Sequence, residues 1–324
     1  MRALRSAIDV TELRRRITRR EALGAAVTVV IASAVDGAPD EPAEPIIDIH
    51  QHTNYSGRTD EQLLRHQRAM GVSRTILLPA GSPVDRPSTH HGKSNGLAAG
   101  CGGNDTCIRI AREHPDEYLF FVNEVPDLPG ARDTLAKYLR MGGLGIGEQK
   151  FSLPCDSPPI EMVAEVAGEF GVPVLMHFQH GMYNLGFENF HKTLEKFPNV
   201  KFIGHAQTFW AYTDAKCDPT KMYPGGKVTP GGLTDRYLAD YPNMLADISA
   251  GSGLNFLNRD ESHAREFLDR HQDKILFGSD CNDRVGRGPT CQGWLTIRAV
   301  RRLATSKAVE RKILYENARK LFRL

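Results

Sequence analysis

The chain has 324 residues, of which 40% are hydrophobic and 25% are charged, and its formal net charge at pH 7 is +2. These proportions are ordinary for a globular protein with a sizeable core. Seven arginines against three acids give the first 34 residues a net charge of +4, so the remainder carries −2. A slightly acidic body lacks the basic surface that nucleic-acid binding requires, which excludes nucleic acid as a partner.

The N-terminus has the order of segments found in an export signal. An arginine-rich run at 14–20 is followed by apolar, uncharged residues at 22–34, a stretch too short to span a bilayer as a helix. Arg19-Arg20 resembles a twin-arginine signal, although two flanking positions depart from the usual pattern. An amphipathic first helix is the alternative. We expect a twin-arginine-type signal peptide at 1–34, a flexible linker at 35–45 and an exported, periplasmic or extracellular protein with no stable membrane span.

After Pro45, eight short apolar runs alternate with helical patterns. The predicted strands cover 46–53, 74–80, 118–125, 144–151, 173–178, 200–206, 244–249 and 275–280. The predicted helices cover 61–70, 105–114, 131–141, 160–170, 187–197, 259–270 and 307–324. Repeated strand-helix units predict parallel strands with crossovers.

The expected fold is therefore α/β, a single-domain (β/α)8 TIM barrel over residues 46–324. An open doubly wound sheet is the alternative, but the first strand ends in Gln51-His52-Thr53, where that fold would carry a glycine-rich phosphate loop. The longest connections, 81–104 and 207–234, are expected to be lids or binding loops.

Ionisable residues end four of the predicted strands. Strand one ends in His50-Gln51-His52, strands five and six end in His177 and His205, and strand eight ends in Asp280. In a parallel barrel the active site lies at these carboxyl ends. Imidazole nitrogens together with a carboxylate suit Zn²⁺ best, with Mn²⁺, Fe²⁺ and Co²⁺ as alternatives. The pattern predicts a divalent-metal site.

Several segments of the chain are similar to a known family. DIHQHT, PVLMHF, FIGHAQ, ILFGSDC and ILYENARKLF resemble the amidohydrolase superfamily, and in particular its amidohydrolase-related branch, which includes decarboxylases. The resemblance covers residues 46–324 and implies a barrel, a metal and a bound water. It implies that His50, His52, His177 and Asp280 are metal ligands, and that His205 lies beside the metal as an electrophile or base partner.

Strand four places Glu148 and Lys150 on one face. In binuclear members of the superfamily a Glu or a carbamylated Lys from this strand bridges two metals. Glu148 is expected to contact the metal, or to orient a histidine, or to form a plain salt bridge with Lys150. The sequence does not decide whether the site binds one metal ion or two.

The resemblance implies a hydrolase that directs a metal-activated water at an amide, ester or lactone of a small organic substrate, with Asp280 and His205 as catalytic residues. A metal-dependent decarboxylase of an aromatic or muconate-type acid is the alternative, and a non-catalytic ligand-binding barrel is a third hypothesis. Homo-oligomerisation stays open. Candidate substrate contacts beyond the strand ends are Lys150, Gln179, Tyr183, Arg284 and Arg287.

Six cysteines contain no CxxC pair, so a zinc knuckle is not expected. An exported protein meets oxidising conditions. We expect a disulfide between Cys101 and Cys107, and a second between Cys281 and Cys291; free buried thiols are the alternative.

Overall fold

The computed structural model describes residues 44–86, 88, 89 and 100–324. The predicted signal peptide at 1–34 and the linker up to residue 43 lie outside the described residues. Within the described part, no helix combines the length and apolar character needed to cross a membrane.

All eight predicted strands are present and parallel, although each is shorter than predicted. They are β1 (Ile47–Gln51), β2 (Arg74–Leu77), β3 (Tyr118–Phe120), β4 (Ile146–Gln149), β5 (Val174–His177), β6 (Phe202–His205), β7 (Met244–Asp247) and β8 (Ile275–Leu276). Each strand pairs with the next in chain order, from β1 to β3 and from β4 to β8.

Two contacts join these sets into a ring. Val122, just after β3, forms a parallel bridge with Ile146 at the start of β4. Ile49 on β1 donates its backbone N–H to the carbonyl of Phe277, which follows β8, at 3.0 Å. The single-domain (β/α)8 barrel is therefore confirmed.

Twelve α-helices are found in the described chain. They are α1 (Asp60–Met70), α2 (Asn104–Glu113), α3 (Ala131–Arg140), α4 (Pro158–Phe170), α5 (Phe190–Lys196), α6 (Ala206–Ala211), α7 (Leu233–Asp240), α8 (Ala250–Arg259), α9 (Glu261–Arg270), α10 (Gln292–Leu303), α11 (Lys307–Arg311) and α12 (Asn317–Phe322). The prediction missed α6, α7, α8 and α10, and it treated 207–234 as a loop although α6 occupies its start.

Local sequence explains the helix ends. The Thr59 side chain accepts the backbone N–H of Gln62, whose side chain accepts the backbone N–H of Thr59 in return. This capping box satisfies N–H groups that the first turn of α1 leaves unpaired. Gly71 ends α1 with a φ of 83°, a conformation that glycine adopts without steric cost.

Apolar side chains fill the barrel towards the amino ends of the strands, and the ionisable side chains lie at the carboxyl ends. Ile47, Ile49, Leu175 and Ile203 belong to an apolar cluster that also contains Phe322 of α12. A larger cluster packs the helices against the outer face of the strands.

Candidate metal centre

The imidazoles of His50 and His52 converge, with their Nε2 atoms 3.2 Å apart. His50 Nδ1 lies 2.6 Å from a carboxylate oxygen of Asp247, and His52 Nδ1 lies 2.8 Å from the Leu78 carbonyl. Both Nδ1 partners only accept hydrogen bonds, so in the neutral rings both Nδ1 atoms carry the proton. The two Nε2 lone pairs therefore face each other in a buried space, which is an arrangement that a cation would stabilise.

An irregularity in β1 brings these histidines to the site. The pairing of β1 with β2 shifts register between Asp48 and Gln51. Ile49 packs in the barrel interior while His50 joins the metal-type cluster, which strict alternation along a strand would not allow. Register shifts of this kind re-aim side chains near active sites.

Asp280 completes the first donor group. Its Oδ1 lies 3.8 Å from His50 Nε2 and 3.5 Å from His52 Nε2. This oxygen is buried and has no hydrogen-bond partner within the described residues. The backbone N–H of Asp280 donates to the His50 carbonyl at 2.8 Å, which fixes the residue in a conformation with a φ of 41°. An uncompensated buried carboxylate oxygen is costly, and a cation would remove that cost.

Glu148, His177 and His205 form the second donor group. Glu148 joins the two groups, because its Oε2 lies 3.6 Å from His50 Nε2 and 3.5 Å from His52 Nε2. Its Oε1 contacts His177 Nδ1 and lies 3.7 Å from His205 Nε2. A carboxylate between two groups of donors has the position of a bridging ligand, so the arrangement fits one cation or two.

Each of the four histidines His50, His52, His177 and His205 has a hydrogen-bonding contact that orients its ring. Both ring nitrogens of His177 have such a contact. Its Nε2 lies 3.1 Å from Gln179 Oε1 while its Nδ1 contacts Glu148. The predicted ligand set grouped His177 with His50, His52 and Asp280. In the structure His177 lies with Glu148 and His205, and Glu148 connects it to His50 and His52.

Asp247 and Ser249, at the end of β7, were not singled out from the sequence. Ser249 Oγ donates to Asp247 Oδ2 at 2.8 Å and lies 3.0 Å from His205 Nδ1. Since the hydroxyl proton goes to Asp247, Ser249 accepts from His205 Nδ1–H, which leaves the His205 Nε2 lone pair directed at the site. β7 also ends an apolar run at a carboxylate, so the rule that found Asp280 would have found Asp247.

Burial and charge oppose each other at the centre. Burial raises the pKa of both acids, but Lys150 and His177 bring the pKa of Glu148 well below its ordinary value, and His50 and His52 lower that of Asp280. Burial would lower the pKa of His50, yet Asp280 and Asp247 raise it. Burial and the neighbouring His50 lower the pKa of His205 to about 4. The two acids are therefore ionised at neutral pH, and His205 is neutral.

Buried hydrogen bonds connect the segment around Asp280, after β8, to β1. Asp48 accepts the backbone N–H of Ser279 at 2.8 Å and that of His50 at 3.0 Å. The Arg58 guanidinium contacts Gln51 and donates to the Cys281 carbonyl at 2.8 Å. These contacts tie the residues on either side of Asp280 to β1 and to the segment after it.

The candidate substrate residues divide into two sets. Lys150 lies near the centre, since its Nζ is 5.5 Å from the Tyr183 ring centroid, and the ring of Tyr183 packs against His177 at 5.5 Å. Gln179 contacts His177 and, with Asn184, lines a cavity of about 330 Å³.

Arg284 and Arg287 are exposed in the loop after β8. Arg287 donates to the carbonyl of Ala69 in α1 at 2.8 Å. Neither arginine belongs to the donor groups of the centre.

The donor set fits a divalent cation on three observations: converging imidazole lone pairs, an unpartnered buried oxygen of Asp280 and a carboxylate of Glu148 between them. Nitrogen and carboxylate oxygen donors in this proportion suit Zn²⁺, Mn²⁺, Fe²⁺ or Co²⁺.

Sequence comparison places the chain in a family. A profile of the amidohydrolase family matches residues 47–324. Because this match spans nearly the whole described chain, the protein belongs to the amidohydrolase family. A comparison with functionally curated proteins finds no significant match.

Solved structures with the same fold are similar over most of the chain. An uncharacterized TIM-barrel protein from Bordetella bronchiseptica is 13% identical, with 86% of this chain and 99% of that one covered and a TM-score of 0.58. A protein from Pseudomonas putida described as a 2-pyrone-4,6-dicarboxylic acid hydrolase is 17% identical over 86% and 97% of the two chains, with a TM-score of 0.57. A 5-carboxyvanillate decarboxylase from Novosphingobium aromaticivorans, with bound manganese, is 16% identical over 82% and 81%, with a TM-score of 0.50.

Proposed function

We propose that the protein is a metal-dependent hydrolase that directs water at an amide, ester or lactone of a small organic substrate. The observation that carries this proposal is the convergence of the Nε2 atoms of His50 and His52, 3.2 Å apart, beside Asp280 Oδ1, which has no hydrogen-bond partner among the described residues. His50, His52 and Asp280 would hold one divalent cation, with Glu148 linking it to His177 and His205. The donor chemistry favours Zn²⁺, and manganese is the ion bound in one similar structure.

A divalent cation at this position supplies Lewis acidity and lowers the pKa of water to about 7. Asp280, ionised at neutral pH, accepts a proton from the attacking water as the new carbon–oxygen bond forms. Asp280 then returns that proton to the leaving oxygen or nitrogen as the scissile bond breaks. Neutral His205, with its Nε2 lone pair facing the site, holds a hydrogen bond to the attacking water or to a hydroxyl of the substrate.

Lys150 suggests the charge of the substrate. Among the candidate substrate residues, Lys150 is the cation that lies beside the centre, with its Nζ 5.5 Å from the centroid of the Tyr183 ring. Its position suits a substrate carboxylate that lies at the mouth while a carbonyl carbon faces Asp280. The carboxylated lactone named for the Pseudomonas putida protein has both groups, and we infer a substrate of that kind.

A metal-dependent decarboxylase is the second candidate. It is favoured by the similarity to a manganese-containing decarboxylase of an aromatic acid. In that reaction the carbon–carboxylate bond breaks, carbon dioxide leaves, and a proton is delivered to the ring carbon. Asp280, which is ionised at neutral pH, would first take a proton from water or from a hydroxyl of the substrate and then deliver it to the ring carbon.

One experiment separates the two reactions. The metal-loaded protein is incubated in parallel with carboxylated lactones, esters and amides, and with hydroxylated aromatic acids, while acid release and carbon dioxide release are measured. Ester or lactone cleavage without carbon dioxide supports the hydrolase. Carbon dioxide release without hydrolysis would replace it with the decarboxylase.

We also propose that the protein is exported through its arginine-rich N-terminus, because Arg19-Arg20 precedes an uncharged apolar run. Export of a folded protein is compatible with metal loading before transport. Fractionation with N-terminal sequencing tests this: the mature protein should begin near residue 35. Recovery only from the cytoplasm with an intact Met1 would contradict it.

A further inference from the structure

A second cluster of donor side chains is buried between α1, the loop after β8 and the start of α10. It consists of His66, Met70, Cys281 and Cys291, whose exposed fractions are 0%, 6%, 1% and 0%. His66, Cys281 and Cys291 each bring one potential ligand atom within 4.8 Å of the other two. The cluster shares no residue with the donor groups around His50 and Glu148.

Three separate elements position these donors. His66 and Met70 are four residues apart and therefore lie on one face of α1. Cys281 directly follows Asp280. Cys291 is the N-cap of α10, where its sulfur accepts the backbone N–H of Trp294 at 3.4 Å. The connecting loop lies against α1, because a side chain at Gly286 would collide with the His66 carbonyl.

The distances from Cys291 to the other three donors are those expected in a tetrahedral metal site. Cys291 Sγ lies 3.8 Å from Cys281 Sγ, 3.7 Å from Met70 Sδ and 3.4 Å from His66 Nε2. Bonds to Zn²⁺ of about 2.3 Å from sulfur and about 2.0 Å from nitrogen, at tetrahedral angles, would separate two sulfurs by about 3.8 Å and sulfur from nitrogen by about 3.5 Å.

Neither predicted disulfide is present, since all six cysteines are free thiols. A disulfide would require the sulfurs of Cys281 and Cys291 to approach to about 2.05 Å. The predicted Cys281–Cys291 disulfide is therefore wrong, although the structure does bring these two cysteines close together. The Cys101–Cys107 bond is likewise wrong for this structure.

Buried cysteines often serve only as small apolar groups. His66 argues against that role here. Its Nε2 faces the sulfur of Cys291, a weak hydrogen-bond partner, while its Nδ1 lies 3.4 Å from the amide of Gln67. A fully buried imidazole whose Nε2 faces a sulfur atom has poor hydrogen bonds. The same imidazole is well placed to bind a cation that also binds thiolates.

We propose that His66, Cys281 and Cys291 bind a thiophilic cation of the Zn²⁺ or Cu⁺ type, with Met70 as a fourth donor. Thiolate and thioether ligands favour these ions over Mg²⁺ or Mn²⁺. Two thiolates neutralise Zn²⁺. With Cu⁺ one negative charge remains, and the Arg58 guanidinium, which donates to the Cys281 carbonyl, lies nearby to balance it.

The site has a structural consequence for the catalytic centre. Cys281 directly follows Asp280 in the sequence. A cation held by Cys281, Cys291 and α1 would therefore fix the backbone immediately after Asp280. The site would therefore act as a structural metal site that stabilises the strand-eight loop, and this inference stands whichever reaction the centre catalyses.

The test uses Co²⁺ as the probe on the full chain, prepared under reducing conditions and stripped of metal. Thiolate ligation of Co²⁺ gives a charge-transfer absorption in the near ultraviolet that nitrogen and oxygen ligands do not give. We expect this absorption in the wild type, reaching at saturation the intensity of one thiolate-bound Co²⁺ per chain because the catalytic centre also takes up Co²⁺, and at least tenfold weaker in Cys291→Ser. Asp280→Asn tests independence from the catalytic centre. Cys155→Ser removes a buried thiol elsewhere, and Cys101→Ser removes a thiol outside the cluster that is close enough to Asp280 and Glu148 for their charges to raise its pKa. All three controls should retain the band.

Displacement identifies the ion. Zn²⁺ or Cu⁺ should abolish the absorption once enough is added to fill both this site and the catalytic centre, and the stronger competitor is the preferred metal. Absence of the band in the wild type, its persistence in Cys291→Ser, or its resistance to both ions would overturn the proposal. So would a thiol count two short after the Co²⁺-loaded wild type is unfolded and its metal chelated without added reductant, since that would assign Cys281 and Cys291 to a disulfide. If Cys291→Ser does not fold, the wild-type spectrum, its displacement and the thiol count remain decisive.

Discussion

Asp247 fixes the tautomer of His50. The Asp247 Oδ2 atom lies 2.6 Å from His50 Nδ1, and both side chains are fully buried. An ionised carboxylate can only accept, so His50 keeps its proton on Nδ1 and presents the Nε2 lone pair to His52 and Asp280. Carboxylate partners of this kind orient the ligands of metal sites and tune their affinity.

Asp247→Asn should therefore weaken binding of the divalent cation by about 10–100-fold, the usual cost of removing such a partner. The measurement is a metal titration of the stripped protein. Asp235→Asn is the matched control, because Asp235 also lies 2.6 Å from a histidine, His271, outside the donor groups of the centre. Equal affinities in wild type and Asp247→Asn would show that His50 does not depend on this carboxylate.

Glu148→Gln should reduce turnover at least tenfold while the fold stays intact. Glutamine keeps the shape but loses the charge that lies within 3.6 Å of His50 Nε2 and His52 Nε2. Steady-state kinetics, with circular dichroism as the check on folding, measures this. Wild-type turnover in the variant would reduce Glu148 to a structural role.

His205→Ala should keep the cation at His50, His52 and Asp280 and still lose roughly 10²–10⁴-fold in rate, as expected for removal of one acid–base group. His205 is not part of the first donor group, and its Nε2 lies 3.8 Å from Asp280 Oδ2. Metal occupancy and turnover are measured on the same preparation. Loss of the cation from the first group would instead make His205 a required ligand.

The strand ends of the centre could be predicted from the sequence, because each apolar run stops at its ligand-type residue. The contacts that orient those residues could not, although the same rule would have picked out Asp247 itself. Asp247 meets His50 across 197 positions of the chain, and only the closed barrel brings them together. The cluster of His66 with Cys281 and Cys291 escaped for the same reason. α8 was missed because Gly251 and Gly253 weaken its helical pattern, and Gly253 is required where the helix packs closely on the Ile248 carbonyl.

Asp260 should make stability depend on pH. The Lys227 ammonium at 2.9 Å and the Val228 N–H at 3.0 Å lower its pKa from 3.8 to about 2. A carboxyl whose pKa is lower in the folded state stabilises the protein above pH 4 and loses this contribution as pH falls towards 2.

Asp260→Asn should therefore cost about 1 kcal/mol at pH 7, a modest value because Lys227 is exposed. The difference should fall to about half near pH 3. Urea unfolding of both proteins at the two pH values measures it. A difference that grows on acidification would have the wrong sign for this explanation.

The central claim is that His50, His52 and Asp280 hold a divalent cation. Anomalous scattering from crystals of the metal-loaded full chain tests it most directly, because it locates the ion and separates this centre from the cluster around Cys281 and Cys291. We predict a peak among the three side chains in the wild type and its loss in His50→Ala and Asp280→Ala. Absence of that peak from fully loaded wild-type crystals, or an undiminished peak in His50→Ala, would contradict the claim.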